Sequence, residues 1–371
     1  MSLHIVFCGG GTAGHLYPGI AVAEQIAAHD PTARITFAVR PRGWEERELK
    51  SLGHSCVSFR CRPLPGRWWR IPAFAAGYAT GVAAARKWLS IHQADVVVGL
   101  GGWTSVPMSR AAVLAGRPLV LLEQNALAGR VTRWLAPHAA LVCAAMDEAR
   151  RRLRVSDDRF RCTGNPLRAA ITGRRRPHPG RSAPRLLVLG GSGGSDELNR
   201  AVPLAVARLG QSLRGWQVVH QTGAAHLAAT RARYAETSRC VRLTTFAADV
   251  ADEISEADIV VCRAGGTTLA ELAALGAAAI VVPYAASADD HQRRNAMTYA
   301  SAGACRMVDP RNSADLATDL ACEIDRLASD AIMRNNLRSS IRQLARPDAS
   351  AEVAELIMNI AFQAPQRSRL T

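Results

Sequence analysis

The sequence has 371 residues, of which 48% are hydrophobic, which is typical of a globular protein with two domains. Its longest uncharged apolar stretch, residues 71–85, is shorter than the roughly 20 residues that cross a bilayer, which argues against a membrane-spanning helix. The formal net charge is +15 and comes almost entirely from arginine, since Lys50 and Lys87 are the two lysines. An excess of positive charge is typical of proteins that bind nucleic acid, a membrane surface or phosphorylated substrates. Compositional drift toward arginine, without a functional cause, is the alternative explanation.

The nine cysteines are spread along the chain without a C-x-x-C pair. We interpret them as buried free thiols in a reducing cytoplasm rather than as disulfides. The N-terminus runs directly into an apolar strand pattern, so no signal peptide is predicted.

The chain opens with a predicted strand, a glycine turn and a helix. Leu3–Cys8 is a short apolar run that predicts a buried strand, and apolar residues at helical spacing begin at Leu16. At the N-terminus of a helix the first N–H groups are unpaired and the helix dipole has its positive end. We therefore expect an anion, most simply a phosphate, to bind at the turn of residues 9–14. His15 places an ionisable side chain next to that position.

Strand and helix patterns then alternate, which predicts a parallel sheet with helices on both faces and ligands at the carboxyl ends of the strands. The further strands predicted in the first half are Ile35–Val39, Cys56–Phe59, Val96–Leu100, Leu119–Leu122 and Leu141–Ala144.

Polar residues follow two of these strands. Residues 101–103, Gly-Gly-Trp, come after one strand, and residues 123–125, Glu-Gln-Asn, come after the next. Both segments should lie at the same sheet edge as His15, so we favour a role in the site over simple loop capping.

The alternation breaks at residues 162–166, which predicts a domain boundary near Gly164, and the Arg-, Pro- and Gly-rich segment 173–184 predicts a flexible loop. The same architecture then starts again, with helices expected near 313–328 and 349–362 and a disordered tail at 363–371. The strands predicted in this half are Arg185–Leu189, Gln217–Gln221, Val241–Thr244, Ile259–Cys262 and Ala279–Val282.

Two more glycine turns occur in the second half, at residues 190–195 and 264–268. Glu271 lies in the first turns of the helix that follows the second of these. Its carboxylate could hydrogen-bond a ribose diol or could simply answer the helix dipole, and the residues alone leave both readings open.

The glycines at positions 9, 11 and 14 satisfy G-x-G-x-x-G, a weak signal for a dinucleotide. Arg40 stands where an NAD site would have an acid, which leaves an NADP-dependent oxidoreductase open, although such an enzyme does not need the other two turns. The chain has no D-x-D pair and no clustered His and Cys residues, so no metal is expected.

Residues 60–87 combine arginines and a lysine with aromatic residues, and residues 49–94 contain no acid. Basic residues beside aromatic ones suit an anionic membrane surface, whereas the alternative is a buried helix with a basic flank. No nucleic-acid-binding motif accompanies them, so nucleic acid is not an expected partner. The basic residues Arg67, Arg70, Arg86 and Lys87 are interleaved with Trp68, Trp69, Ile71, Phe74 and Trp88.

Seven motifs, in one order and spacing, resemble the MurG family of peptidoglycan glycosyltransferases. The likeness covers residues 3 to about 346. The motifs are Gly-Gly-Gly-Thr-Ala-Gly-His, Gly-Gly-Trp, Glu-Gln-Asn, Thr-Gly-Asn-Pro-Leu-Arg, Gly-Gly-Ser, Arg-Ala-Gly-Gly-Thr-Thr-Leu-Ala-Glu and His-Gln-x-x-Asn-Ala.

The resemblance implies an α/β fold of the GT-B type, in which two Rossmann-like domains with parallel sheets face a central cleft. Residues 1–164 would form the acceptor- and membrane-facing domain, and residues 165–346 the UDP-GlcNAc domain, with a helix near 347–362 returning to the first. The implied reaction is transfer of GlcNAc from UDP-GlcNAc to undecaprenyl-diphospho-MurNAc-pentapeptide, with inversion and without a metal or other cofactor. Such an enzyme would act in cell-wall synthesis, cell shape and cell division as a peripheral protein on the cytoplasmic face of the inner membrane.

The resemblance also implies roles for single residues, with His15 as the general base. The implied contacts to the transferred sugar are Thr12, Ala13, Gly14, Asn125 and Gln292. Those to the UDP part are Arg168, Ser192, Ala247, Gly266, Thr267, Thr268, Leu269, Ala270 and Glu271, with Glu271 at the ribose and Ala247 at the uracil. Those expected for the acceptor are Gly10, Gly11, Gly102 and Trp103.

Three single positions and one segment depart from the common family pattern: Ala13 replaces Gly, Trp103 replaces Tyr, Leu122 replaces His, and residues 193–195 read Gly-Gly-Ser in place of Gln-Gly-Ala. Three rival functions remain open beside the transferase: a UDP-GlcNAc epimerase of the same fold, a non-catalytic sugar-nucleotide-binding subunit, and the NADP-dependent oxidoreductase.

Overall fold

The computed structural model describes residues 2–41, 43–59, 71–173, 183–191, 193–235, 241–245 and 249–363. The chain forms two compact units, Met1–Arg168 with Arg346–Thr371, and Ala169–Ala345. Each unit contains one sheet whose strand pairs are all parallel, so the predicted α/β class with two parallel sheets is confirmed.

The first unit is built on a seven-stranded sheet in the order β3-β2-β1-β4-β5-β6-β7. Its strands are β1 His4–Cys8, β2 Arg34–Val39, β3 Ser55–Ser58, β4 Val96–Gly99, β5 Leu119–Glu123, β6 Leu141–Ala144 and β7 Phe160–Cys162. Its helices are α1 Ala13–His29, α2 Trp44–Ser51, α3 Ile71–His92, α4 Val106–Leu114, α5 Arg130–Leu135 and, after the second unit, α14 Ala349–Gln363.

Strand β1 lies in the interior of this sheet, between β2 and β4, and is buried on both faces. Ile5 and Phe7 belong to one apolar core, and Val6 and Cys8 belong to another on the opposite face. This explains why β1 reads as a continuous apolar run and not as an alternating pattern.

The C-terminal helix α14 completes the first of these cores with Val353 and Ile357. Its Ser350 hydroxyl accepts the N–H of Leu167 at 2.9 Å and donates to the carbonyl of the same residue at 2.7 Å. These contacts hold residues 165–168 in the first unit, whose N-terminal segment ends at Arg168.

The second unit has a six-stranded sheet in the order β10-β9-β8-β11-β12-β13. Its strands are β8 Arg185–Leu189, β9 Gln217–Gln221, β10 Val241–Thr244, β11 Ile259–Cys262, β12 Ala279–Val281 and β13 Arg306–Met307. Its helices are α6 Ala169–Thr172, α7 Asp196–Arg208, α8 Leu227–Tyr234, α9 Val250–Glu256, α10 Gly266–Leu275, α11 His291–Ser301, α12 Leu316–Ser329 and α13 Ala331–Gln343.

Every predicted strand is present with each end within one residue of the expected position, whereas β7, β13 and helix α13 were not predicted. The predicted loop at 173–184 and tail at 363–371 lie almost entirely outside the described residues. The cysteines in the described ranges are free, as expected. Cys322 is exposed, and Cys56 and Cys162 are partly exposed, which corrects the expectation that all are buried. No helix in the described part of the chain is long and apolar enough to cross a membrane.

Candidate active site

The strand order reverses in each sheet between two central strands, β1 and β4 in the first unit and β8 and β11 in the second. In open parallel sheets, the carboxyl ends of such neighbouring strands leave a crevice in which ligands bind. All three predicted glycine turns follow strands at these two positions.

In the first unit, the turns after β1 and β4 pack directly on each other. A Cβ at Gly9 would lie 2.8 Å from the carbonyl oxygen of Gly101, and both residues have positive φ, +131° and +91°. Side chains other than hydrogen fit neither the space nor the backbone conformation, so these two positions require glycine.

His15 lies in the first turn of α1 and faces the second of these turns. Its Nδ1 shares a hydrogen bond of 2.8 Å with Thr12 Oγ1. A Cβ at Gly101 would be 3.0 Å from His15 Cδ2 and 3.4 Å from Nε2, so the imidazole lies against the Gly101 backbone. Thr12 is the N-cap residue of α1, but its side chain makes no capping bond. The structure therefore brings together His15 and Gly101, as the sequence predicted.

The Glu-Gln-Asn segment at the end of β5 is organised by Glu123, for which the sequence predicted no role separate from that of the segment. One oxygen of this buried carboxylate accepts both the backbone and the side-chain N–H of Asn125, each at 3.1 Å. The other oxygen accepts the N–H of Gly129 at 2.9 Å. Because the Asn125 amide nitrogen donates to Glu123, the orientation of the Asn125 side chain is fixed.

Arg168 lies on the first unit, where its guanidinium carbon is 4.3 Å from the centroid of the Tyr17 ring. The Tyr17 hydroxyl donates to Glu48 Oε1 at 2.9 Å. Burial raises the pKa of Glu24, and the positive charge of Arg168 opposes that shift. Stacking on an aromatic ring and a nearby carboxylate hold Arg168 in place.

In the second unit, the turn after β8 packs against the end of β9. A Cβ at Gly194 would lie 1.9 Å from the Thr222 carbonyl oxygen, so glycine is required there too. Ser195 Oγ caps α7 by accepting the N–H of Leu198 at 3.3 Å. The predicted site residues Ser192 and Ala247 lie outside the described residues.

The turn after β11 leads into α10, whose N-cap residue Gly265 has no side chain to cap the helix. The first turn of α10 contains no acidic residue, so nothing there opposes the positive helix end. Among the residues predicted here, Leu269 has a fully buried side chain, so only its backbone could contact a ligand. Glu271 is half-buried one turn further along.

Gln292 is the second residue of α11, and its Oε1 accepts the N–H of Tyr284 at 2.9 Å. This bond leaves the amide nitrogen as the part of Gln292 that can donate to a ligand. Arg263, which the sequence analysis also missed, pairs with Glu197 at 2.8 Å and donates to the carbonyls of Val282 and Pro283. It thereby ties the start of α7 to the segment that precedes Tyr284.

Within the described ranges, no three His, Cys, Asp or Glu residues form a group that could hold a metal ion.

Comparison with known proteins agrees with this architecture. The model of the glycosyltransferase family 28 N-terminal domain matches residues 5–143, and that of the C-terminal domain matches residues 185–352. An enzyme of Sorangium cellulosum named UDP-N-acetylglucosamine–N-acetylmuramyl-(pentapeptide) pyrophosphoryl-undecaprenol N-acetylglucosamine transferase is 38% identical, with coverage of 99% of this chain and 90% of its own. The enzyme of the same name from Aromatoleum aromaticum is also 38% identical, with coverage of 95% and 96%.

Among solved structures, MurG of Acinetobacter baumannii is 27% identical with a TM-score of 0.76, covering 96% of this chain and 99% of its own. A putative UDP-N-acetylglucosamine 2-epimerase of Listeria monocytogenes reaches a TM-score of 0.72 at 12% identity, with coverage of 99% and 98%, and thus shares the fold alone. The chain therefore belongs to glycosyltransferase family 28 and, within it, to the MurG family of N-acetylglucosamine transferases.

Proposed function

We propose that the protein transfers GlcNAc from UDP-GlcNAc to undecaprenyl-diphospho-MurNAc-pentapeptide, which forms lipid II. The observation that carries the proposal is the sequence likeness to the named transferases along nearly the whole chain. The geometry that supports it is a histidine at the crevice between β1 and β4 and an uncapped helix N-terminus at the corresponding crevice of the second unit.

The second unit would hold the donor. Backbone N–H groups of residues 266–268, at the start of α10, would bind the diphosphate, because a helix N-terminus attracts anions. The Glu271 carboxylate would accept hydrogen bonds from the ribose, and the amide nitrogen of Gln292 would donate to a sugar hydroxyl. Negative charge develops on the β-phosphate as UDP leaves, and the positive end of the α10 dipole would stabilise it.

The first unit would hold the acceptor and the base. The mechanism would use the tautomer in which Nδ1–H donates to Thr12 Oγ1, so that the lone pair is on Nε2, beside the Gly101 backbone. The acceptor hydroxyl would form a bond to C1 of GlcNAc while the bond from C1 to the UDP oxygen breaks. Nε2 would take the hydroxyl proton, UDP would leave with the electron pair, and the configuration at C1 would invert.

The same unit would contact the membrane surface that carries the lipid acceptor. Aromatic rings of α3 reach from the Gly-Gly-Trp turn toward solvent: the Phe74 ring is 6.3 Å from Trp103, and the Tyr78 ring is 6.3 Å from Trp134. Trp134 is 45% exposed and follows Arg133 and the exposed Arg130 on α5. Amphipathic rings beside arginines suit an interface with anionic lipid.

The proposed surface does not include every aromatic residue named from the sequence. Trp88 packs inward, with its ring 4.1 Å from His92 and 5.8 Å from His4, so it belongs to the packing under α3. Trp68 and Trp69 lie outside the described residues.

One assay tests the function: radiolabelled UDP-GlcNAc with a short-chain lipid I analogue, with and without EDTA. We expect labelled lipid II analogue in both conditions. Donor consumption without acceptor would indicate an epimerase, and UDP binding without turnover would indicate a non-catalytic subunit. Binding of NADPH in place of UDP-GlcNAc would support the oxidoreductase. Loss of activity in EDTA that Mg²⁺ restores would overturn the metal-free mechanism.

A further inference from the structure

A buried carboxylate that the proposed mechanism does not use lies against the first glycine turn. Glu45, in the first turn of α2, is fully buried. Its Oε1 accepts the N–H of Gly11 at 2.8 Å. Its Oε2 is buried without a hydrogen-bond partner among the described residues. Burying a carboxylate with one unpaired oxygen opposes folding, which sets Glu45 apart from residues that merely fill a core.

The backbone of the turn explains why this contact matters. Gly9, Gly10 and Gly11 have φ of +131°, +136° and +88° in succession. Glycine visits many conformations with similar energy, so such a run needs ties from outside to stay in one of them. The N–H of Gly9 donates to the Ala38 carbonyl at 3.2 Å, and the N–H of Gly11 donates to Glu45. The run is thus held at both ends.

The end held by Glu45 is the one that leads to the base. Thr12 follows Gly11 directly, and its hydroxyl shares the hydrogen bond with His15 Nδ1. A shift of Gly11 would therefore move Thr12 and the ring that it orients. Displacements of about 1 Å in a reacting group can cost about 100-fold in rate.

Gly43 makes room for the carboxylate. A Cβ at Gly43 would come within 2.2 Å of Glu45 Oε2. Its φ of −80° and ψ of 168° are open to any residue, so alanine there would disturb the carboxylate and not the backbone.

We propose that Glu45 is a positioning residue for the transfer reaction: its carboxylate holds Gly11 and thereby sets the positions of Thr12 and His15, without contact to either substrate. This inference rests on the proposed function, in which His15 takes the acceptor proton.

Three variants and one control test it. Glu45→Ala should lower kcat about 10- to 100-fold and leave UDP affinity within about twofold, because UDP binds the second unit. Glu45→Gln keeps an oxygen that can accept the Gly11 N–H and should retain kcat within about threefold. Gly43→Ala should lower kcat as Glu45→Ala does. Glu46→Ala, on the same helix but paired with Lys50, is the matched control and should keep kcat.

Two measurements separate positioning from general damage. The double variant of Glu45→Ala and Gly43→Ala should be no slower than Glu45→Ala alone, since both changes act on one contact. Hydrogen–deuterium exchange of the peptide spanning residues 9–15 should speed up in Glu45→Ala and Gly43→Ala but not in Glu45→Gln.

Additive losses in the double variant, equal losses in the Gln and Ala variants, or unchanged exchange would each overturn the role of Glu45. Wild-type protein without turnover would instead overturn the proposed function, and the exchange measurement would still report whether Glu45 holds the turn.

Discussion

Replacing His15 by Ala should lower kcat by about 10²- to 10⁴-fold, the usual effect of losing a general base. At about 1.36 kcal/mol for each factor of ten, this is about 2.7 to 5.5 kcal/mol of transition-state stabilisation. A substitution at Thr12 should lower kcat less than the loss of His15 does. Thr12→Val removes the 2.8 Å hydrogen bond to Nδ1 while keeping the shape of the side chain. A hydrogen bond of this kind contributes about 0.5 to 1.5 kcal/mol, so kcat should fall by about two- to tenfold.

The assay is steady-state transfer to a lipid I analogue across pH, together with UDP binding by calorimetry. Wild-type kcat should rise with pH on the acid side of neutrality, because only a neutral imidazole can accept the proton. His15→Ala should abolish that rise and leave UDP affinity nearly unchanged, and Thr12→Ser should behave like wild type. If the histidine only braces the loop, UDP or acceptor affinity and thermal stability would fall with the rate. A stable His15→Ala protein with most of its kcat would refute the assignment.

Three further predictions concern other parts of the chain. Glu271→Ala should weaken UDP binding by about 10- to 100-fold, since hydrogen bonds to a charged acceptor contribute about 1.5 to 3 kcal/mol; unchanged affinity in calorimetry would remove Glu271 from the site. Trp134→Ser should reduce co-sedimentation with anionic vesicles without changing UDP affinity, and salt should release part of the wild-type protein; equal sedimentation would place the membrane contact elsewhere. Burial lowers the pKa of His220 to about 3 in the folded protein. Below about pH 6.5 the unfolded protein therefore binds more protons at this residue than the folded protein does, and the free energy of unfolding decreases as pH falls. Between pH 7 and 5, wild type should therefore lose about 2 kcal/mol more unfolding free energy in urea titrations than His220→Gln, and equal losses would contradict this.

The central strands could be predicted from the sequence because each is buried on both faces and reads as an apolar run. The edge strands β7 and β13 could not be predicted in this way. Strand β13 consists of Arg306 and Met307, and β7 has the exposed Arg161 at its centre, so neither forms such a run. Helix α13 was missed because Leu337 and Ile341 are its only buried side chains. Short apolar patterns of this kind do not stand out from a polar loop.

The same limit applies to the candidate site. The neighbourhood of His15 and Gly101 follows from strand order, because parallel strands bring their carboxyl ends to one edge. The contact of Glu45 with Gly11 joins two segments that are far apart in sequence, and nothing in the local pattern of α2 predicts it. Like Glu45, Glu123 and Arg263 form hydrogen bonds to the backbone of loops. Such partners are visible only in the folded chain.

The glycine turn before α1 and the glycine turn before α10 are similar in sequence but differ in their ability to bind an anion. An anion was expected at the first turn, but there the N–H of Gly11 is already donated to the buried carboxylate of Glu45, whose charge disfavours a phosphate nearby. The turn before α10 has neither an acid in its first helical turn nor a side-chain cap at Gly265. The electrostatics therefore favour the diphosphate at α10 and leave the first turn to neutral sugar hydroxyls. A general base is best placed at such a turn, because a phosphate beside the imidazole would favour its protonated form and remove the lone pair that the reaction needs.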